Sequence, residues 1–332
     1  MVTPATSAYS NNKTWQALVI GRAGMDLYPQ AEAGKTRDAL GFSADMGGSA
    51  GNIAAALGRA GARVGLISAL SEDAIGDFVR QRLTEVQVAQ DFIQTSDQHG
   101  RTSLAVAEVR TDDCEVVIYR NDAADLHWQY NDTIANAIAN SHNLIVTGTS
   151  LISEPSRSAT LKAIGQANAS NCKVWLDLDY RPWNWPDQAA TRHLYQQAAE
   201  LADVVVGNQE EFAVLTDQLQ QLIQQYTAKQ QIILLKRGAE GCHVYMHGKY
   251  LQAGVYPVKA LKPYGAGDAF LGNLVAHYTQ YQHWETAVAT GSAAAALVVA
   301  KRGCASVMPS PQDIQQLQQS IAMTAGVNWA QA

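Results

Sequence analysis

A chain of 332 residues is long for one compact domain and short for two full-sized ones, so one large domain with a smaller appendage is expected. Hydrophobic residues at 47% and charged residues at 16% are the balance of a globular protein and exclude a disordered chain. A net charge of −6 without basic blocks argues against nucleic acid or an anionic membrane as the main partner and leaves a small molecule as the expected one.

Along the chain, residues 1–13 read as a polar tail with no apolar core, neither signal peptide nor anchor. Trp15 to Gly21 is a short apolar run ending in glycine, as a buried first strand should be. The alanine-rich stretch from Gly51 to Ala60 has apolar residues at helical spacing, and Val64 to Ile67 is again an apolar strand. The alternation returns with strands at Leu144 to Val146, Val174 to Leu176, Val204 to Val206 and Ile232 to Leu235, and with helices near Ser156 to Ala167 and Thr191 to Ala199. It predicts an α/β fold, a doubly wound and mostly parallel sheet flanked by helices, with ligands beyond the carboxyl ends of the strands. Gln218 to Gln231 is glutamine-rich and reads as a solvated helix and loop. Helices over Asp268 to Tyr281, Glu285 to Lys301 and Pro311 to Met323 close the chain. The longest apolar run, Ser292 to Ala300, falls short of the roughly 20 residues a bilayer requires, so a cytoplasmic protein is expected.

Two regions break the alternation. Arg22 to Met46 is polar and irregular, while Ser103 to Val109 and Glu115 to Arg120 read as strands joined by Thr111-Asp112-Asp113. Together they predict a small β lid, built from about 22–46 and 95–125, on a domain running from 14 to 330.

Gly265-Ala266-Gly267-Asp268 stands directly before an apolar helix, so its amides can face an anion from a helix N-terminus and Asp268 can take a proton from an attacking hydroxyl. An isolated segment of this kind is equally a tight turn and a helix cap. Met46-Gly47-Gly48-Ser49-Ala50-Gly51-Asn52 enters a helix with a polar side chain in its first turn, suited to hydroxyls. Asn208-Gln209-Glu210-Glu211 follows the strand at Val204, where Asn208 and Glu211 could organise Mg²⁺ and phosphate through water, or simply cap a helix. Lys236-Arg237-Gly238-Ala239-Glu240-Gly241 ends another strand in a glycine-rich turn that reads either as a nucleotide rest or as a hairpin.

In this order and combination, over Val19 to Pro309, these segments resemble the ribokinase-like (pfkB) carbohydrate kinases. The resemblance implies an ATP-dependent kinase with Asp268 as base, Gly265, Ala266 and Gly267 as the oxyanion turn, and Asp26, Gly47, Gly48 and Asn52 at the sugar. It places ATP against Asn208, Lys236, Gly238, Gly241 and Gly267, and Mg²⁺ under the indirect, water-mediated influence of Glu211. It also implies a homodimer paired through the lid. Many members have Asp-Thr before the glycine turn, where this chain has Lys262-Pro263-Tyr264, so a monovalent-cation site built from that aspartate does not carry over.

Gly21 to Pro29, Arg101-Thr102-Ser103-Leu104-Ala105, Tyr119-Arg120-Asn121 and Leu261-Lys262-Pro263-Tyr264 resemble the 5-dehydro-2-deoxygluconokinases of inositol breakdown. The 2-dehydro-3-deoxygluconokinases share the lid arginine and a segment like Asp177-Leu178-Asp179-Tyr180-Arg181. That likeness implies a sugar-acid substrate met by Arg101, Arg120 and Arg181, and Arg120 ends the strand whose alternation puts it on one face with Val116 and Ile118. A fructokinase or ribokinase acting on a neutral sugar, and a sensor that kept the fold without the chemistry, are the competing readings.

Other motifs are incomplete. Ala33-Gly34-Lys35-Thr36 imitates the end of a P-loop, but Pro29 replaces its first glycine and no apolar strand leads into it. Gly21-Arg22-Ala23-Gly24 lacks the full dinucleotide fingerprint. Hydrolase readings have little support: the His-x-x-x-His spacing of His243 and His247 lacks the glutamate of His-Glu-x-x-His, and the Gly-x-Ser-x-Gly spacing of Gly47-Gly48-Ser49-Ala50-Gly51 falls within the two-glycine helix entry. The four cysteines, Cys114, Cys172, Cys242 and Cys304, are too far apart for a Cys-x-x-Cys zinc site and read as buried free thiols.

Overall fold

The computed structural model describes residues 13–30, 35–96, 99–111, 114–182, 185 and 187–331. The polar tail up to residue 12, Ala33 and Gly34 of the P-loop imitation, and Asp112 and Asp113 of the expected turn lie outside them.

The chain runs from β1 (Ala17–Ile20) through β2 (Gly24–Pro29) and β3 (Phe42–Gly47) into α1 (Ser49–Arg59) and β4 (Val64–Leu70). It continues with α2 (Ala74–Glu85), β5 (Val88–Ala89), β6 (Ile93–Thr95), β7 (Leu104–Ala107) and β8 (Val116–Tyr119). Alternating units follow: α3 (Asp132–Ala139), β9 (Asn143–Thr147), α4 (Ser156–Ala169), β10 (Lys173–Asp177), α5 (Gln188–Glu200), β11 (Val204–Asn208), α6 (Gln209–Phe212), α7 (Leu219–Ala228) and β12 (Ile232–Lys236). The chain closes with β13 (Cys242–Met246), β14 (Lys249–Ala253), α8 (Ala266–Tyr281), α9 (Trp284–Val299), α10 (Pro311–Ser320) and β15 (Val327–Gln331).

The large sheet has the order β15-β14-β13-β12-β11-β10-β9-β1-β4-β5, with β6 also paired to β4. Pairing is parallel from β12 to β5 and antiparallel from β12 outward to β15. Such a sheet must be covered on both faces, and β1 shows why its residues alternate apolar on apolar. Ala17 and Val19 pack with α1, α8 and α9, while Leu18 and Ile20 pack with α3, α4 and α5. All four are fully buried. Strand order reverses on either side of β1, where the chain moves to β4 on one side and β9 on the other. That switch point opens a crevice beyond the strand ends, and the loops after β1, β9, β10, β11 and β12 meet there.

A second sheet, β3-β2-β7-β8, stands apart from the first. Its members β2 and β3 lie in the stretch that reads as irregular from sequence, because two aspartates and two glycines interrupt the alternation that would mark strands. Sequence reading also passes over α2, α3, β13, β14 and β15, whose apolar residues are interrupted by polar ones. The glutamine-rich segment forms α7, which still buries Leu222, Ile223 and Tyr226. Among the described residues no helix is long and apolar enough to cross a membrane, and the four cysteines are free, three of them buried.

Candidate active site

The turn before α8 shapes the centre of the site. Gly265 has φ +81°, and a Cβ there would lie 2.9 Å from Cys304 Sγ, so both the backbone angle and the wall behind it call for glycine. The helix starts at Ala266, which puts Gly267 and Asp268 in its first turn beside amides with no intrahelical acceptor. From α1, Asn52 Nδ2 donates to Asp268 Oδ2 at 2.8 Å, leaving Oδ1 of the carboxylate for another partner. Burial, reinforced by the neighbouring Asp179 and Asp177 carboxylates, raises the Asp268 pKa to about 7; the Asn52 hydrogen bond and Lys236 pull the other way.

The ends of β10, β11 and β12 supply a charged cluster beside this turn. Lys236 Nζ sits 3.0 Å from Asp177 Oδ1 and 3.5 Å from Glu211 Oε2. It also comes within 3.3 Å of where a Gly267 Cβ would stand, so it touches the glycine turn. Burial opposes the Lys236 charge, but Asp177 and Glu211 outweigh it and its pKa rises. Burial pushes Asp177 up to about 6 despite Lys236. Asn208 and Glu211 form a capping box on α6: Asn208 Oδ1 accepts from the Glu211 amide at 2.8 Å, and Glu211 Oε2 accepts from the Asn208 amide at 2.8 Å. Arg181 donates to Asp179 at 2.9 Å and lies 4.0 Å from Glu211, and Asp179 accepts from Ser49 Oγ at 2.7 Å. Gly238 and Gly241 form the turn that joins β12 to β13, so that segment is the hairpin which the residues alone also allowed.

On the side facing the second sheet, a cavity of about 60 Å³ is lined by Arg22, Ser49, Ile118, Arg120, Thr149, Asp179 and Arg181. Ile118 and Arg120 face it, whereas Val117 and Tyr119 are 50% and 60% exposed, as strand alternation requires. Val116 departs from the expected pattern, being 40% exposed at the strand's start. The Arg120 guanidinium is buried, pairs with Asp125, and donates through Nη2 to the Thr149 carbonyl at 3.1 Å. Its Nη1 is buried without a partner among the described residues, and so are Asp26 Oδ1 and Asn52 Oδ1. Buried polar atoms of this kind are what a hydroxyl- and carboxylate-bearing ligand satisfies. Asp26 lies on β2, where its Oδ2 accepts from Tyr28 at 3.1 Å, and Gly47 makes room for it: a Cβ on Gly47 would lie 1.9 Å from Oδ2. Gly48 caps α1.

Of the candidates named from sequence, Asn52, Asp268, Gly267, Lys236, Glu211 and Arg181 are joined by direct contacts or a shared charge network, and Arg120 meets Arg181 across the cavity. Arg101 does not join them: its side chain is 70% exposed and reaches Asp73 at 3.4 Å. Arg22, Ser49, Thr149, Asp177 and Asp179 belong to the site although no role was read for them. Arg22, Asp177 and Asp179 lay in segments quoted for family likeness and Ser49 in the two-glycine helix entry, whereas Thr149 had only its position just past the carboxyl end of β9.

This crevice, with a buried carboxylate at a helix N-terminus, a buried lysine beside the glycine turn and arginines under a β cover, defines a small-molecule phosphotransferase of the α/β class. The model of pfkB family carbohydrate kinases matches residues 16–311, and the chain belongs to that family. It is 38% identical over 314 residues to a 5-dehydro-2-deoxygluconokinase from Photobacterium profundum, covering 92% of this chain and 95% of that one. A 5-dehydro-2-deoxygluconokinase from Bacillus subtilis is 32% identical over 319 residues, covering 93% and 97%. In three dimensions the chain resembles a fructokinase with bound ATP from Xylella fastidiosa, at a TM-score of 0.80 and 24% identity over 92% of this chain and 99% of that one, which bears on the fold.

Proposed function

We propose that this chain transfers the γ-phosphoryl group of ATP to a hydroxyl of a sugar acid, 5-dehydro-2-deoxy-D-gluconate, as a step of inositol breakdown, with Asp268 as the general base. The observation that carries the chemistry is Asp268 itself, one oxygen tied to Asn52 and the other without a partner among the described residues, at the start of α8 and with a pKa near the working range. The hydroxyl oxygen bonds to the γ-phosphorus, the bond to the bridging β–γ oxygen breaks to leave ADP, and the hydroxyl proton passes to Asp268. The amides of the turn at Gly265 to Gly267 and the Lys236 ammonium face the charge that develops on the phosphoryl oxygens.

ATP is taken to lie over the turn from Lys236 to Gly241, with Asn208 beside its phosphates. Mg²⁺, when bound, neutralises phosphate charge. Asp177, Asp179 and Glu211 are each engaged by Lys236, Arg181 or Ser49, so Glu211 suits a contact through water that leaves these pairs in place. Among the described residues no three His, Cys, Asp or Glu are grouped to hold a metal directly.

The acid is supported by the lining of the cavity. Arg120 Nη1 is a buried donor without an acceptor among the described residues, and Arg22 and Arg181 share the cavity with it. A guanidinium fork matches a carboxylate. The test is R120A assayed on 5-dehydro-2-deoxygluconate, 2-dehydro-3-deoxygluconate and a neutral sugar of the same length. A charge-assisted contact predicts a loss of about tenfold to a hundredfold in kcat/KM on the acids and little on the neutral sugar, with R120K recovering part of it. An equal loss on all three would assign Arg120 to structure. The outer face of β8 supports a homodimer paired through the second sheet, and free thiols suit a cytoplasmic location.

A further inference from the structure

Lys262 stands three residues before the glycine turn, and its side chain has no exposed surface at all, 0%. Removing an ammonium from water is costly unless its donors are met. Among the described residues no salt bridge joins it to a carboxylate; Nζ donates to the Tyr264 carbonyl at 2.8 Å and lies 3.8 Å from Cys304 Sγ and 4.8 Å from the centre of the Tyr264 ring. The Asp45 carboxylate is committed instead to the amides of Met46, Cys304 and Ser306. Packing does not account for such a residue, because a methionine would fill similar volume without the desolvation cost.

We infer that Lys262 is a positioning residue for phosphoryl transfer, its ammonium holding the Tyr264–Gly265 peptide so that the Gly265 amide faces the phosphoryl group while a fixed positive charge stands behind the turn. The geometry follows from the peptide unit. This bond is trans, so its carbonyl and its N–H point to opposite sides, and fastening the carbonyl to Nζ turns the N–H away from the ammonium. Cys304 Sγ closes the back of Gly265 from the same side as Lys262. The Tyr264 hydroxyl donates to the Glu108 carbonyl at 3.0 Å and its ring stacks on Tyr28, so the same residue is anchored to the second sheet. An amide and a charge fixed before the reaction stabilise the transferring group without reorganising during it.

The inference rests on reading the turn at Gly265 to Asp268 as the phosphoryl site. Two variants test it. K262M should fold, melt no earlier than the parent because an unpaired buried charge is gone, lose about tenfold to a hundredfold in kcat, and keep the sugar KM within about threefold. K262A should be comparably slow and regain about tenfold in added ammonium or methylammonium, with tetramethylammonium, too large for the vacated volume, doing nothing. A K262M that melts early would make Lys262 structural and overturn the inference. So would a K262M that keeps most of its kcat, or a K262A indifferent to ammonium. D268N separates the two levels: if it is inactive while K262M works normally, only the role of Lys262 fails, whereas an active D268N removes the site reading itself.

Discussion

At Asp268 two demands meet, since a base must be ionised to work and burial beside Asp177 and Asp179 resists ionisation. With the pKa raised to about 7, log(kcat/KM) should rise with unit slope below that value and level off above it. A flat profile from pH 5 to 9 would show that another group takes the proton. D268N keeps the size and an oxygen for Asn52 Nδ2 but removes the proton acceptor, so kcat should fall by about 10² or more while nucleotide binding, measured calorimetrically, persists. The same shift bears on stability. The folded pKa lies above the unfolded value of 3.8, so between about 4 and 7 the unfolded chain releases a proton that the folded chain retains. That contribution is present below the unfolded pKa and is lost as pH rises through the folded one. D268N should therefore melt at or above the parent temperature at pH 8. E211Q keeps an oxygen for the Asn208 amide, so the capping box survives and only the charge is lost. Its Mg²⁺ requirement should rise more than its sugar KM, and an unchanged requirement would confine Glu211 to capping.

The elements contribute through their ends. The N-terminus of α8 can serve an anion only if Gly265 keeps φ at +81°, an angle that L side chains seldom adopt. G265A adds that strain to a contact with Cys304 Sγ, and should cost about 1–3 kcal/mol in urea denaturation along with most of kcat. Adding C304A to it should recover part of the stability by clearing the space, but not the backbone term. Equal stability of G265A and the parent would mean that the turn can relax. The small sheet works similarly: β8 brings Ile118 and, just past its end, Arg120 over the crevice, while its other face is left to water.

For the molecule as a whole, that outer face bears on assembly. Val117 and Tyr119 are 50% and 60% exposed on the outer face of one short strand at the edge of the small sheet, an arrangement that a second copy would cover. The pairing proposed predicts a dimer in sedimentation velocity, converted to monomer by V117E/Y119E with Arg120 untouched. A parent protein that sediments as a monomer at micromolar concentration would remove the proposal.

The alternation of apolar runs with helices, legible along residues 143–236, determined the parallel sheet and the end of it at which ligands sit, because strands buried on both faces must be apolar throughout. The glycine turn before α8 was legible for a similar reason, since tight turns and close approach leave few residue types to choose from. What only the tertiary structure decided was which polar residues share the crevice. Arg101 and Arg120 looked alike as lid arginines, yet one pairs with Asp73 at the surface and the other is buried beside Arg22 and Arg181. Likewise Lys262 read as a departure from the wider family and as part of a subgroup likeness, but its buried place behind Gly265 emerged only when Cys304, 42 residues later, folded against it. Periodicity reports how a segment meets the core, but a charged side chain is placed by partners far away in sequence, and those are brought together only when the loops converge.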